Sequence, residues 1–117
     1  MAYTNIIDYI NIASIGNAVD FGDLLEGNSE MGGCSNGTRG IFTAGYDYSS
    51  VRTDRIQYVT IDTTANSTDF GDLTSARSSV SAVSDGTKGL TGGGKDNSLN
   101  RVNTIDYVNI ASLGNAS

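Results

Sequence analysis

Ile7-Asp8-Tyr9-Ile10-Asn11-Ile12 decides the fold, because the chain contains this stretch three times. It returns as Ile56-Gln57-Tyr58-Val59-Thr60-Ile61 and as Ile105-Asp106-Tyr107-Val108-Asn109-Ile110, at a constant spacing of 49 residues. Each copy mixes β-branched and aromatic residues with polar neighbours, the pattern of a mostly buried strand rather than a helix. A period of this length belongs to propellers and solenoids.

The repetition extends outward without insertions. Asn17-Ala18-Val19-Asp20-Phe21-Gly22-Asp23-Leu24 returns as Asn66-Ser67-Thr68-Asp69-Phe70-Gly71-Asp72-Leu73, and Ser35-Asn36-Gly37-Thr38-Arg39-Gly40 as Ser84-Asp85-Gly86-Thr87-Lys88-Gly89. Gly45, Asp47, Ser49 and Arg52 return as Gly94, Asp96, Ser98 and Arg101. One period holds four strand candidates. Residues 28–35 and 38–45 form a pair around Asn36-Gly37, matched by 77–84 and 87–93 around Asp85-Gly86. Such dipeptides predict a two-residue type I′ hairpin with both central residues at positive φ. The third strand is the isoleucine stretch, about 55–62, and the fourth spans about 67–73. Ala65-Asn66 turns between them, with Gly16-Asn17 and Gly114-Asn115 in the other copies, where Gly and Asn are expected to use the left-handed region.

Four antiparallel strands per 49-residue unit describe a blade of an all-β propeller. The chain reads as one repeat domain, 1–117, with a half blade at 6–24, a full blade at 28–73 and a partial blade at 77–111. It resembles the Kelch family, on Gly92-Gly93-Gly94 closing a second strand, the polar loop after it and Tyr107 in the third strand. Ala44-Gly45 replaces the glycine doublet in the other unit, and Phe21 and Phe70 stand where the family has a Trp. A second resemblance, carried by Ile105 to Ala116 and Asn17 to Leu24, is to Kelch-like structural and tail-fibre proteins of marine bacteriophages. It implies a virion setting, host recognition and viral structural use.

The strands do not close a ring within one chain. Two blades per chain, with unpaired edges at both ends, predict homo-oligomerisation, because such edges are costly and prone to aggregate. The contact is heterologous, so it closes into a ring or runs on as a filament. A trimer giving six blades is the preferred closure. One strand is surplus, since residues 7–12 and 105–110 fit the same place, so a copy is displaced or the chain is a piece of a longer array.

Seven Lys and Arg against thirteen Asp and Glu give a net charge of −6, which argues against nucleic acid as a partner. No apolar run reaches membrane-spanning length, and the N-terminus lacks the regions of a signal peptide, so outside the virion setting a soluble protein is expected. The single Cys34 reads as core packing. No cofactor motif is present. Asp-Phe-Gly at 20–22 and 69–71 copies a kinase tripeptide, but histidine is absent and no catalytic loop follows. Gly92-Gly93-Gly94-Lys95 lacks the spacing of a phosphate loop and suits close strand packing. The glycosylation patterns at Asn36, Asn66 and Asn115 suit turns. Calcium candidates are Asp20 with Asp23 and Asp69 with Asp72, whose spacing matches no known loop.

With no histidine to activate a serine and no carboxylate pair singled out, the chain reads as a non-enzyme. The loop after the second strand is the binding candidate: Tyr46, Asp47, Tyr48 and Arg52 in one unit, Asp96, Asn97 and Arg101 in the next. Tyrosine stacks on sugar rings while Asp, Asn and Arg bond hydroxyls, which suits carbohydrate binding of host-surface glycans; the plain reading of the same residues is a solvated loop whose Asp and Arg pair locally. The alternative is a pure self-assembly module, or an excised or designed propeller fragment, with no ligand.

Overall fold

The computed structural model describes residues 3–47 and 49–117. Its elements are all strands, paired antiparallel. Strands β1 (Ile6–Tyr9) and β2 (Val19–Asp23) form a two-stranded sheet. Next come β3 (Asn28–Ser29), β4 (Gly32–Ser35), β5 (Arg39–Thr43), β6 (Tyr46–Asp47), β7 (Thr53–Thr60) and β8 (Thr68–Arg77). Of these, β4-β5-β7-β8 make a four-stranded sheet in chain order, while the short β3 and β6 pair beside it. Last, β9 (Ser81–Ser84), β10 (Lys88–Gly92) and β11 (Ile105–Asn109) form a three-stranded sheet in chain order. The C-terminal copy of the repeated stretch therefore occupies the place beside β10, with Leu90 opposite Tyr107.

Both hairpins form where Asn36-Gly37 and Asp85-Gly86 stand, but not as type I′ turns. Only the glycines take positive φ, +92° at Gly37 and at Gly86. Asn36 and Asp85 act through their side chains. Asn36 Oδ1 accepts the N–H groups of Thr38 and Arg39 at 3.0 and 2.7 Å, and Asp85 Oδ1 those of Thr87 and Lys88 at 2.9 and 2.8 Å. The same bonds from Lys88 and Thr87 hold the Asp85 carboxyl below its ordinary value.

The expected left-handed Asn turns give way to a different device. Asn66 Oδ1 accepts the Asp23 N–H at 2.9 Å, and Ser67 donates its N–H to the Asp23 carbonyl at 2.8 Å. One period later Asn115 Oδ1 accepts the Asp72 N–H at 3.0 Å, and Ala116 donates its N–H to the Asp72 carbonyl at 2.8 Å. Each fourth strand is thus sewn to the segment before, or equivalent to that before, the next fourth strand. Gly22 and Gly71 make room for this seam, since a Cβ on either would overlap the carbonyl of Ala65 or of Gly114.

The two larger sheets also meet along their first and second strands. Ser84 Oγ donates to the Ser35 carbonyl at 2.6 Å, and the hydroxyls of Thr91 and Thr43 lie 3.1 Å apart. Ile41, Ala44, Ile56, Phe70, Leu73, Val80, Val108 and Ile110 form the core between the four-stranded and three-stranded sheets. Cys34 packs against this core as read from the sequence, and burial pushes its thiol pKa up, away from reactive thiolate. The aromatic pair Tyr58–Phe70 meets edge to face at 6.0 Å, and Tyr9–Phe21 repeats it at 5.8 Å.

A buried ion pair joins the two larger sheets. Arg77 is 0 % exposed and Asp106 2 %, and Arg77 NH1 stands 3.3 Å from Asp106 Oδ2. Thr74 donates its N–H and its hydroxyl to the same carboxylate at 2.9 and 2.7 Å. One period earlier the equivalent positions are neutral: Asn28 donates to the Ala44 carbonyl, and Gln57 accepts from Leu25 N–H and Ser67 Oγ. Arg77 Nε has no partner among the described residues.

Candidate functional site: the loop face

The loops after β6 and after β10 share one architecture, set by an aspartate at the start of each. Asp47 Oδ1 accepts the N–H groups of Ser49 and Val51 at 2.9 and 3.1 Å. Asp96 Oδ1 accepts those of Ser98 and Asn100 at 2.9 and 3.0 Å. Left-handed residues close the turns, Ser50 at φ +63° and Leu99 at +65°. One oxygen of each of these two candidate carboxylates therefore holds its own loop together.

The loops are tied to one another. Asn97 Oδ1 accepts the Arg52 N–H at 3.0 Å, and Asn97 Nδ2 donates to the Arg52 carbonyl at 3.4 Å. Arg52 Nε donates to Ser78 Oγ at 3.0 Å, while its guanidinium lies 5.0 Å from the Tyr46 ring centroid. Tyr46 is half-buried and meets Tyr3 edge to face at 6.1 Å. Tyr46, Arg52 and Asn97 are thus brought together, though by contacts among themselves. Tyr48 lies outside the described residues.

Arg101, the counterpart of Arg52, is exposed and lines an open cleft of about 310 Å³ with Ser79, Gly94, Lys95 and Val102. Glu30 stands nearby at a left-handed φ of +58°, accepting from Ser79 Oγ at 2.9 Å. Hydrogen bonding to the Ser78 and Ser79 hydroxyls holds its carboxyl below the ordinary value, helped by the charges of Arg52 and Lys95. Ser79 and Glu30 were not among the sequence candidates, and Lys95, the first residue of the candidate loop 95–101, was not singled out within it. Lys95 replaces an aromatic residue, Tyr46, at the same repeat position, which hid it from a reading based on shared chemistry.

Asp20 and Asp23 lie on β2, and Asp69 and Asp72 on β8. Among the described residues no three His, Cys, Asp or Glu side chains gather where they could hold a metal ion. No helix of the described residues is long and apolar enough to cross a membrane. No protein-family model matches the chain, and comparison with curated proteins gives no match.

Proposed function

We propose that the chain is a non-enzymatic structural and adhesive module: a Kelch-like β-propeller of four-stranded blades, closed into a ring by copies of itself, whose loop face binds glycans. The observation that carries the ring is the state of the end sheets. The middle sheet has four strands, β1-β2 has two and β9-β10-β11 has three. The exposed apolar residues Ile6, Ile10, Ile12, Ile15 and Val19 cluster on and after β1, the behaviour of a face that a partner covers. Three chains and six blades are the preferred closure, and the wording shared with phage repeats favours a virion surface.

The loop face supplies the ligand chemistry. One oxygen each of Asp47 and Asp96 is engaged in loop structure, whereas Lys95 and Arg101 stand at the mouth of a cleft with Ser79. The Ser79 hydroxyl is engaged by Glu30, so the two cations Lys95 and Arg101, set against that single carboxylate, supply the recognition and suit a glycan carrying a carboxylate, as on uronic or sialic acids, better than a neutral sugar. A glycan array on the purified protein tests this. Signal on acidic glycans that falls at least tenfold in Lys95→Ala and Arg101→Ala, with the fold intact, supports it. Blank arrays favour a module that only assembles, a reading for which the engagement of Asn97 and Arg52 with each other already speaks.

A further inference from the structure

We infer, within the ring reading above, that the C-terminal copy of the repeated stretch is an intramolecular stand-in: it holds the place beside β10 that the β1-β2 hairpin of a sister chain takes on assembly. Asn5–Ala18 and Asn103–Ala116 differ only at Ile6/Thr104, Ile10/Val108 and Ile15/Leu113. Yet the face carrying Asp8, Ile10 and Ile12 is exposed where that of Asp106, Val108 and Ile110 is buried, while Tyr9 and Tyr107 are alike at 43 % and 46 % exposed. Ile12 is 94 % exposed where Ile110 is 0 %, and Ile10 is 59 % exposed where Val108 is 6 %. Near-identical sequences with opposite burial of this face mean that the first copy carries the side chains for a seat that its own chain does not offer it.

That seat is well defined by what β11 does in it. Ile110 donates its N–H to the Thr87 carbonyl at 3.0 Å, and Arg39 NH1 donates to the Ile110 carbonyl at 2.9 Å. Lys88 Nζ lies 4.8 Å from the Tyr107 ring centroid, and Asp106 meets Arg77 and Thr74. Asn115 and Ala116 then seal the outer strand β8 through Asp72. The first copy has a matching group for each contact: Ile12, Tyr9, Asp8, Asn17 and Ala18. Asp8 is exposed, in contrast to the buried Asp106.

The hairpin also brings something β11 lacks. Its β2 would follow β1 into the sheet as the fourth strand, giving β9-β10-β1-β2, the order of the complete sheet β4-β5-β7-β8. Only β11 and its tail have to leave, since β1 stays paired with β2. An open apolar groove of about 540 Å³ beside β1, lined by Tyr9, Ile10, Ile12, Phe21 and Ile61, is the face that closes. Assembly is then an exchange between tethered β11 and a second molecule. A tether supplies an effective concentration on the order of 1 mM, so at equal seat strength roughly a tenth of the seats exchange at about 100 μM protein.

Disulfide trapping in a Cys34→Ser background tests the exchange. Leu90→Cys with Tyr107→Cys should close within one chain at every concentration. Leu90→Cys with Tyr9→Cys should give interchain disulfides whose yield rises with concentration, and Asp8→Arg should lower that yield at least fivefold by facing Arg77 with like charge. Lys88→Cys with Asn11→Cys, both exposed sites, repeats the test should Tyr9→Cys not fold. No interchain disulfide up to about 1 mM, or a yield indifferent to Asp8→Arg, overturns the inference. An oligomer by native mass without these cross-links overturns this junction but leaves the ring; a monomer at all concentrations overturns both.

Discussion

Replacing Asp106 by Ala should be among the most damaging single changes in the chain, for a reason its own repeat makes checkable. Arg77 is fully buried, and among the described residues Asp106 is its only anionic partner, at 3.3 Å. Its other bonds, to Ser75 Oγ and the Thr91 carbonyl, are both long at 3.4 Å. Removing the carboxylate leaves a buried guanidinium with two long hydrogen bonds and no counter-charge, which costs about 3–5 kcal/mol. Against a total stability of roughly 5–15 kcal/mol that is about a fifth of the whole or more. With a urea m-value of about 1–3 kcal/mol/M, the midpoint should fall by more than ~1 M, measured at micromolar protein so that no sister Asp8 intervenes. The double variant Arg77→Asn with Asp106→Gln installs the neutral pair that the chain already uses at Asn28 and Gln57, and should cost far less than the two single changes together. A midpoint unchanged in Asp106→Ala, or a double variant worse than either single, would refute the idea that an unpaired buried charge sets the cost.

Three further outcomes follow from backbone and charge. Gly94→Ala should destabilise by more than about 2 kcal/mol, because its φ is +104° and the new Cβ would lie 2.5 Å from the Ser78 carbonyl; Gly33→Ala, with ordinary contacts, should be neutral or gain up to about 1 kcal/mol by the same urea titration. Ala44→Gly should change stability by less than about 1 kcal/mol in either direction: at φ +62°, where its counterpart is Gly93, relief of a left-handed Cβ is offset by added chain entropy and by loss of a methyl from the core. Glu30 and Asp85 both have folded-state pKa values depressed by hydrogen bonds, so what they contribute is present above their ordinary values of 4.5 and 3.8 and is lost as pH falls through the lower folded values. Acid titration of Glu30→Gln with Asp85→Asn should show a flatter loss of stability than the parent, and an identical acid limb would contradict the assignment.

The strands were legible because a fixed 49-residue period makes each copy a check on the other two, but the buried face was legible only in part: Ile56, Val59, Val108 and Ile110 are buried, whereas Ile61, Ile105 and Tyr107 are exposed and the polar Gln57 and Asp106 are buried. The turns were less so. Asn36 and Asp85 precede glycine, which invites a backbone reading, whereas their side-chain oxygens carry the turn; nothing in a dipeptide separates the two uses. The seam glycines Gly22 and Gly71 answer to a carbonyl 43 residues away, which is invisible locally. At the loop face the loop-closing role of one oxygen each of Asp47 and Asp96 was not legible, because a ligand-facing and a loop-closing carboxylate have the same sequence. The occupant of the place beside β10 was undecidable for a plainer reason: two nearly identical segments fit it by sequence, and the structure seats Ile105–Asn109, joined to β10 by the twelve-residue connection 93–104.

Incomplete sheets at both ends make self-association the centre of this account, and native mass determination across a concentration series addresses it most directly. A species of three chain masses that grows with concentration and disappears in Asp8→Arg is the expected result. A folded single chain, unchanged from micromolar to millimolar protein, would contradict it.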